Sequence, residues 1–457
     1  MRPSFSRYLV AALVVASAGA AVRLHSAVPQ PATADRFTLP ATDEGLRGSG
    51  PLRRHDWFQN VWRERRSAWA GRVAQDQGAV VFLGDSITQG WEKTLGTTFP
   101  GMKIANRGIN GDTSRGVLLR LKDDVLALKP RAVVLLIGTN DLDEGATPET
   151  IAGDIRLILA DLKQHNPSMP VVLNLIFPSS SSKGRPADAI KATNTLLLEA
   201  VKRDAQVTPL DTYRLFADAH GDAPVSEFPD LLHPNDAGYS RWASALQPVF
   251  ATLGFVETTP DSFSVEDGYE SLFDGRTLTG WGYRPTTDAD KESARKWQAS
   301  DPKGAAEWPI VTEATDFKGL TSSPDGRFRV IAGRLVVATP PEGRKIQQLH
   351  TTREFGDDFT LKLEFRATPN ADSGVYVRGP QLQVRDYRLA GPFKGLTRYK
   401  PQGWNELVVT VSGGAATATC NGEPLDVELK VPERGPIGVE GDRGQMEYRR
   451  IRITRPK

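Results

Sequence analysis

Cysteine is nearly absent from this sequence: Cys420 is the only one in 457 residues. Because one thiol cannot form a disulfide within the chain, every domain must be held together by packing and hydrogen bonds. Cys420 lies on a strand-like stretch directly before Asn421 and Gly422, a pair that favours a type I′ hairpin turn. We expect this thiol to be a small buried hydrophobic group.

Histidine is scarce too, and its spacing does not suggest a metal site. The six histidines, at positions 25, 55, 165, 220, 233 and 350, form no H-x-H or H-E-x-x-H motif, and there is no cysteine pair. We therefore predict no metal-ligand set and no cofactor.

Long blocks of one charge sign are also missing. The 57 Lys and Arg residues balance 55 Asp and Glu residues, which gives a formal net charge of +2. A nucleic-acid-binding surface needs a basic patch or stripe to contact phosphates. We therefore expect no nucleic acid among the partners.

The first residues have the pattern of an export signal. Arg2 and Arg7 precede an apolar run over 9–22, which contains small residues that suit a signal peptidase. The run is shorter than the ~20 apolar residues that span a bilayer. We predict a signal peptide over 1–27, a secreted or periplasmic protein and no stable membrane span after cleavage, with an uncleaved anchor as the alternative. Residues 28–55, rich in Pro, Ala, Thr and Gly, are predicted to be a mobile leader.

The remaining chain is long enough for two domains, and its hydrophobic pattern changes once. Over 56–257 apolar strand-like runs alternate with helical patterns, which predicts a parallel sheet with helices on both faces, an α/β domain of flavodoxin-like type. After a linker over 258–268, short alternating segments with Gly-rich turns fill 269–457. This second pattern predicts an all-β sandwich of antiparallel strands.

Unusual polar segments follow three apolar runs of the first domain, at the strand ends where open parallel sheets bind ligands. They read GDSIT at 84–88, NRG at 106–108 and GTND at 138–141, and a fourth segment, DLLH at 230–233, comes later. A serine needs a neighbouring base, and the base needs an orienting carboxylate. Ser86, His233 and Asp230 supply these groups. The backbone N–H groups of Ser86 and Gly108 and the carboxamide of Asn140 are candidate oxyanion-hole donors.

Each of these segments has a simpler interpretation when taken alone. A Gly-Asp-Ser sequence is a common turn, and a histidine before proline often just starts a helix; the four segments together favour catalysis. The nucleophile elbow G-x-S-x-G is absent because Thr88 occupies its last position, which argues against an α/β-hydrolase. The serine-rich stretch 179–184 is interpreted as a solvated linker, with a pocket rim as the alternative.

The four segments, in this order, resemble the sequence blocks of SGNH (GDSL-like) hydrolases. Within that class, residues 106–121 are similar to the platelet-activating factor acetylhydrolase 1b catalytic-subunit group. The resemblance covers roughly 57–253. It implies a catalytic triad of Ser86, Asp230 and His233 and an oxyanion hole formed by Ser86, Gly108 and Asn140.

The second domain resembles the 3-keto-disaccharide hydrolase family, through GYESLFDG at 268–275 and DSGVYVR at 372–378 among other segments. The resemblance implies a concanavalin-like sandwich. Asp372 and Gln381 depart from the Asn and Glu that the family shows there. The candidate substrate-binding residues are Glu364, Arg378, Gln383 and Asp386, with the alternative that Glu364, Arg378 and Asp386 form an ion-pair network between strands.

These observations predict an exported serine esterase that removes short acyl groups, acetyl first among them, from a carbohydrate, with a second domain that binds or processes sugar. One alternative is an esterase for lipids or small esters. Another is a glycan-binding surface protein whose second domain hydrolyses keto-glycosides. The expected partners are an acylated carbohydrate or a small ester, and the pattern leaves the oligomeric state open.

Overall fold

A computed structural model describes residues 37–202, 204–256, 261–300, 310–338, 347–389 and 391–454. The predicted signal peptide, 1–27, and residues 28–36 of the predicted leader lie outside the described residues, as does part of the predicted linker. These segment boundaries stay predictions.

The first domain is built on a sheet of five parallel strands in the order β2-β1-β3-β4-β5. The strands are β1 (Val80–Gly84), β2 (Ile104–Gly108), β3 (Ala132–Leu136), β4 (Val171–Asn174) and β5 (Val207–Leu210). Every described pairing between them is parallel, and the order is that of flavodoxin-like sheets. The predicted α/β class is confirmed.

Helices cover both faces of this sheet because neighbouring strand residues point to opposite sides. Val81, Leu83 and Val133 pack with the helices on one face, and Val80 and Phe82 pack with those on the other. The helices are α1 (Asp56–Ala70), α2 (Ser86–Gly90), α3 (Leu95–Thr98), α4 (Ser114–Asp124), α5 (Thr139–Asp143), α6 (Pro148–His165), α7 (Ala187–Val201), α8 (Thr212–Phe216) and α9 (Asp236–Thr252).

The described part of the predicted leader, 37–55, lies against this domain without regular secondary structure. The backbone N–H of Gly50 donates to Asp154 of α6 at 2.9 Å, and the hydroxyl of Thr113 donates to the carbonyl of Pro51 at 2.7 Å. Arg47 forms a salt bridge with Asp161 at 2.7 Å. These contacts hold residues 47–51 against α6 and the turn before α4.

The second domain consists of two antiparallel sheets with one hydrophobic core between them, which confirms the predicted sandwich. The smaller sheet has the order β13-β12-β17-β10-β7, and the larger has the order β16-β15-β14-β11-β18-β9-β8 with β6 beside β18. The strands are β6 (Tyr269–Ser271), β7 (Trp281–Gly282), β8 (Phe328–Ile331), β9 (Arg334–Val337), β10 (Gln347–Thr351), β11 (Phe359–Ala367), β12 (Asp372–Val377), β13 (Gln381–Arg385), β14 (Asn405–Ser412), β15 (Ala415–Cys420), β16 (Glu423–Lys430), β17 (Ile437–Gly441) and β18 (Met446–Thr454). One helix, α10 (Asp288–Ser300), precedes β8.

The hairpin between β15 and β16 has the predicted turn. Asn421 and Gly422 both have positive φ, 51° and 79°, as a type I′ turn requires. Cys420 is buried, and burial raises the pKa of its thiol to about 12. The thiol therefore packs as a small hydrophobic group and is not a nucleophile at neutral pH.

Candidate active site

Ser86 lies where β1 meets α2, at the carboxyl edge of the parallel sheet. Asp85 caps the helix by accepting a hydrogen bond from the N–H of Ile87 at 2.9 Å. The turn is tight: a Cβ on Gly84 would lie 2.2 Å from the carbonyl oxygen of Leu136 on the neighbouring strand. Only glycine fits there, and it lets β1 lie close to β3 immediately before Ser86.

The structure brings Ser86, His233 and Asp230 into one chain of hydrogen bonds. His233 Nε2 is 2.9 Å from Ser86 Oγ, and His233 Nδ1 is 2.7 Å from Asp230 Oδ2. With its proton on Nδ1, the imidazole donates to the carboxylate and its Nε2 accepts from the serine hydroxyl. This is the arrangement that a general base and its orienting carboxylate need.

Asp230 is held as a carboxylate by its own loop. Partial burial acts to raise the pKa of Asp230, but hydrogen bonds from the backbone and ring of His233 and from the N–H of Leu232 outweigh it and lower the pKa to about 2. The loop turns sharply at Leu231, whose φ is 64°. A negative charge beside Nδ1 stabilises the imidazolium that forms when His233 takes a proton.

The loop that carries His233 is supported from the serine-rich stretch. The hydroxyl of Ser179 donates to the carbonyl of Leu231 at 2.8 Å, and the N–H of Ala223 donates to the carbonyl of Ser179, also at 2.8 Å. Ser179 is buried. The first residues of 179–184 are therefore a buried support for the loop of His233 and not a solvated linker. After the loop, Asn235 caps α9 by accepting from the N–H of Gly238 at 3.1 Å.

The oxyanion-hole candidates lie at neighbouring strand ends. Gly84 pairs with Gly108 on β2 and with Leu136 on β3, and α5 with Asn140 follows β3. The N–H of Gly108 donates to Asn106 Oδ1 at 2.9 Å, so an oxyanion would share this donor with Asn106. A Cβ on Gly108 would lie 2.3 Å from the backbone nitrogen of Gln89, so glycine is also needed here to let α2 approach β2.

Asn140 is buried, and its carboxamide is fixed at both ends. Its Nδ2 donates to the carbonyl of Asp112 at 2.9 Å, which leaves one amide hydrogen for an oxyanion. Its Oδ1 accepts from Arg185 Nη2 at 3.1 Å and lies 3.5 Å from Arg53 Nη1. Two guanidinium groups on Oδ1 draw electron density from the amide and make its N–H a stronger donor.

Arg185 and Arg53 were not identified from the sequence. Arg185 is buried and also donates from Nε to the carbonyl of Thr139 at 3.0 Å. Arg53, from the segment before α1, is buried and forms salt bridges with Asp143 and Glu144. The sequence gives only a weak indication of their role: Arg185 follows the polar stretch 179–184, and Arg53 lies at the end of the proline-rich segment 28–55.

Three buried aspartates lie around the strand ends. Burial raises the pKa of Asp85 and of Asp141 to about 7 and that of Asp112 to about 6. Asp112 is paired with Arg120 at 2.8 Å, and Asp141 accepts from the N–H of Ser114 at 3.0 Å. Asp85 holds the turn after β1, and Asp112 and Asp141 hold the turns after β2 and β3.

The structure does not bring together the four candidate residues of the second domain. Glu364 is on the larger sheet, paired with Arg449 at 2.7 Å and Arg450 at 2.8 Å. Gln383 is on the smaller sheet and donates to Asp372 at 2.7 Å. Arg378 donates to backbone carbonyls of 432 and 357, and the buried Asp386 accepts from the side chains of Tyr399 and Gln402, both at 3.2 Å. No described salt bridge links Glu364, Arg378 and Asp386 to one another.

Two further features bear on the kind of site. Within the described ranges, no helix has both the length and the apolar character for a membrane crossing. In the same parts of the chain, no group of three or more His, Cys, Asp or Glu side chains has the arrangement of a metal site.

Comparison with known proteins separates the chain into the same two parts. Residues 82–241 match the GDSL-like Lipase/Acylhydrolase family, and residues 268–454 match the 3-keto-alpha-glucoside-1,2-lyase-like domain. Over 203 residues the chain is 27% identical to platelet-activating factor acetylhydrolase IB subunit alpha2 of Homo sapiens. This alignment covers 44% of this chain and 87% of that protein. Over 208 residues it is 26% identical to the acetylxylan esterase of Geobacillus stearothermophilus, covering 36% of this chain and 90% of that protein. A solved GDSL-like lipase from Bacteroides thetaiotaomicron aligns with a TM-score of 0.37 at 23% identity, over 41% of this chain and 97% of that one. These matches confirm the two family resemblances predicted from the sequence, one for each domain.

Proposed function

We propose that this chain, which carries a GDSL-like acylhydrolase domain followed by a 3-keto-glucoside-lyase-like domain, is an exported esterase that removes short acyl groups, acetyl first among them, from carbohydrate. The single observation that carries the esterase assignment is the chain of hydrogen bonds from Ser86 through His233 to Asp230, at 2.9 and 2.7 Å. The predicted signal peptide over 1–27 supports export to the periplasm or the exterior.

The proposed reaction proceeds through an acyl-enzyme. Ser86 Oγ attacks the carbonyl carbon of the ester while His233 Nε2 takes the hydroxyl proton, and Asp230 stabilises the resulting imidazolium. The oxyanion accepts hydrogen bonds from Asn140 Nδ2 and from the N–H groups of Ser86 and Gly108. His233 then gives its proton to the departing alcohol. Water, deprotonated by His233, attacks the acyl-serine and releases the acid.

The openness of the site supports a large alcohol portion in the substrate. The side chains of His233 and Asp230 are 42% and 49% exposed, so the described part of the chain leaves this side of the site open. An open site of this kind leaves room for an oligosaccharide on the leaving-group side of Ser86.

An exposed tryptophan beside the segment that holds Asn140 supports carbohydrate as that alcohol. Trp57 is 46% exposed, and its ring packs on Gly111, where an added Cβ would lie 2.5 Å from the indole. Gly111 precedes Asp112, whose carbonyl holds Asn140. The indole and the nearly parallel ring of His55 offer an apolar surface to the C–H face of a sugar ring. The similarity to an acetylxylan esterase and the second domain's match to a sugar-degrading family also favour carbohydrate.

A lipid or small-ester substrate is the second candidate, favoured by the similarity to a platelet-activating factor acetylhydrolase subunit. The two candidates are separated by measuring acetate release from acetylated xylo-oligosaccharides and from an acetylated phospholipid. We expect a higher kcat/KM on the oligosaccharide. Ser86→Ala serves as the blank in both assays.

Trp57→Ala sharpens this test. It should lower kcat/KM for the acetylated oligosaccharide and leave hydrolysis of p-nitrophenyl acetate unchanged, because only the larger substrate reaches the indole. Preference for the phospholipid together with no effect of Trp57→Ala would contradict the carbohydrate assignment.

A further inference from the structure

One arginine of the first domain lies wholly inside the protein, next to the strand ends that carry the proposed oxyanion hole. Arg120 is on α4, and its side chain is 0% exposed. A long cationic side chain is rarely buried completely, so its place in the structure calls for a specific reason. The proposed reaction gives this residue no role so far.

The guanidinium of Arg120 bonds to the backbone of two neighbouring strands. Its Nη2 donates to the carbonyl of Gly84 at 3.0 Å and to the carbonyl of Arg107 at 2.9 Å. Gly84 is the last residue of β1, and Arg107 is the residue before the last of β2. Arg120 therefore joins the carboxyl ends of these two strands, where the groups that would meet an ester lie.

The bond to Arg107 acts directly on an oxyanion-hole candidate. The carbonyl of Arg107 and the N–H of Gly108 belong to the same planar peptide group. A cation that bonds to the carbonyl oxygen draws electron density from that peptide and makes its N–H a stronger donor. The same bond fixes the plane of the peptide, and with it the direction in which the N–H of Gly108 points.

A stronger donor matters at Gly108 because its N–H already has an acceptor. It donates to Asn106 Oδ1 at 2.9 Å, and the Nδ2 of Asn106 in turn donates to the carbonyl of Thr88 at 2.7 Å. An oxyanion has to share this N–H with a neutral amide oxygen. Polarising the N–H favours the charged acceptor over the neutral one, since hydrogen bonds to charged groups are the stronger ones.

A buried aspartate holds Arg120 in this position. Asp112 Oδ2 accepts from Arg120 Nε at 2.8 Å, and both side chains are 0% exposed. A Cβ on Gly116 of α4 would lie 1.9 Å from Asp112 Oδ1, so glycine leaves room for the carboxylate. A buried ion pair contributes little net stability, because desolvating both charges offsets their attraction. Stability alone therefore does not explain this pair.

We propose that Arg120 is a positioning residue of the esterase, which orients and polarises the peptide between Arg107 and Gly108 so that the Gly108 N–H stabilises the oxyanion. This inference rests on the proposed esterase reaction. It goes beyond that reaction by giving a role to a buried residue outside the triad and outside the three oxyanion-hole donors.

Arg120 should act independently of Asn140. The Nδ2 of Asn140 donates to the backbone carbonyl of Asp112 at 2.9 Å, whereas Arg120 bonds to the carboxylate of Asp112. The backbone of Asp112 has its own support, because its N–H donates to the carbonyl of Ile109 at 3.0 Å. Losing Arg120 therefore weakens the Gly108 donor and leaves the Asn140 donor in place.

The test compares the hydrolysis of p-nitrophenyl acetate by the parent, by Arg120→Met and by the double variant Arg120→Met/Asp112→Asn. Burial already raises the pKa of Asp112 to about 6, and the double variant removes both charges so that no lone carboxylate stays buried. Each variant should lose about tenfold or more in kcat with little change in KM. Arg66→Met is the matched control and should keep parental kcat, since Arg66 is a buried arginine paired with Asp124 of α4 at 2.8 Å.

Two further measurements separate this role from a merely structural one. A boronic acid adds to Ser86 Oγ as His233 takes the hydroxyl proton, and the tetrahedral boronate places an oxygen where the oxyanion would lie. Its inhibition constant should rise in Arg120→Met by about the factor by which kcat falls. In the Asn140→Ala background, Arg120→Met should cause its full loss again, because the two residues act on different donors.

Parental kcat in a folded Arg120→Met or double variant would overturn the proposal. It would also be overturned by an equal loss in Arg66→Met, or by a loss that disappears in the Asn140→Ala background. Thermal melting identifies a variant that does not fold, and the double variant carries the test if the single one is lost. Hydrolysis that differs between the parent and Ser86→Ala reports on the proposed function separately, so a failure of that function is distinguished from a failure of this inference.

Discussion

Arg185 is the residue whose replacement tests the geometry of the proposed oxyanion hole in most detail. It contacts Asn140 Oδ1 at 3.1 Å, on the side of the carboxamide away from the amide hydrogens. Arg185→Met removes the charge and the donors while keeping a long side chain. We predict a fall in kcat of about tenfold to a hundredfold on p-nitrophenyl acetate, with little change in KM.

Two comparisons set the expected size of the fall in kcat. Losing an oxyanion-hole donor outright costs roughly 10² to 10³ in kcat, and Arg185 acts only through such a donor, so its loss must cost less. A hydrogen bond from a charged group is worth about 1.5–3 kcal/mol, or about tenfold to a hundredfold at roughly 1.4 kcal/mol per tenfold. Arg53 lies 3.5 Å from the same Oδ1 and would still hold the Asn140 carboxamide partly in its orientation.

The assay compares the parent, Arg185→Met, Asn140→Ala and the double variant. Because Arg185 acts through Asn140, the double variant should be no slower than Asn140→Ala alone. Arg156→Met, at an exposed position on α6, is the matched control and should keep parental kcat. The reasoning is refuted if Arg185→Met retains parental kcat, or if the double variant shows the full product of the two single effects in a folded protein.

Three further predictions follow from the same site. Asn140→Ala should lower kcat by roughly 10² to 10³ with nearly unchanged KM, because its amide bonds the oxyanion more strongly than the ground-state carbonyl; steady-state kinetics showing a raised KM and normal kcat would contradict this. Ester hydrolysis should be unchanged by EDTA, and loss of activity that a divalent ion restores would count against a metal-free mechanism. Burial raises the pKa of Asp85 from 3.8 to about 7. Between pH 3.8 and about 7 the folded protein therefore keeps a proton on Asp85 that the unfolded chain releases, and the free energy of unfolding falls as the pH rises through this range. Asp85→Asn should remove this part of the fall and gain on the order of 1 kcal/mol or more over the parent between pH 4 and 7 in denaturant unfolding; an equal slope in both proteins would show that Asp85 ionises normally.

The layout of the first domain could be predicted because buried parallel strands and amphipathic helices leave different periodicities in the sequence. The strand ends were recognisable for the same reason: an apolar run that stops at Gly84 or Leu136 marks the carboxyl edge of the sheet. Ser86, His233 and Asp230 could be named as a group because their chemistry requires these residue types together. The hydrogen bonds between these three side chains could be established only from the structure.

Other parts of the site depend on tertiary contacts that no local pattern records. Arg185 and Arg53 meet at Asn140 although they are separated by most of the domain, and an arginine in a loop has no signal that tells a buried contact from a solvated one. In the sandwich, alternation along β17 predicts only that Glu440 faces away from Val439. Glu364 pairs with two arginines, whereas Glu440 has no salt bridge among the described residues; this difference depends on which side chains the neighbouring strands present.

The most direct measurement of the central claim is the position of a covalent label. After reaction with a fluorophosphonate ester, peptide mass spectrometry should find a single modification, on Ser86, formed in step with the loss of esterase activity. His233→Ala should react far more slowly, and Ser86→Ala should neither be labelled at this peptide nor hydrolyse esters. Inactivation with the label on another residue, or parental turnover by a folded Ser86→Ala protein, would contradict the account.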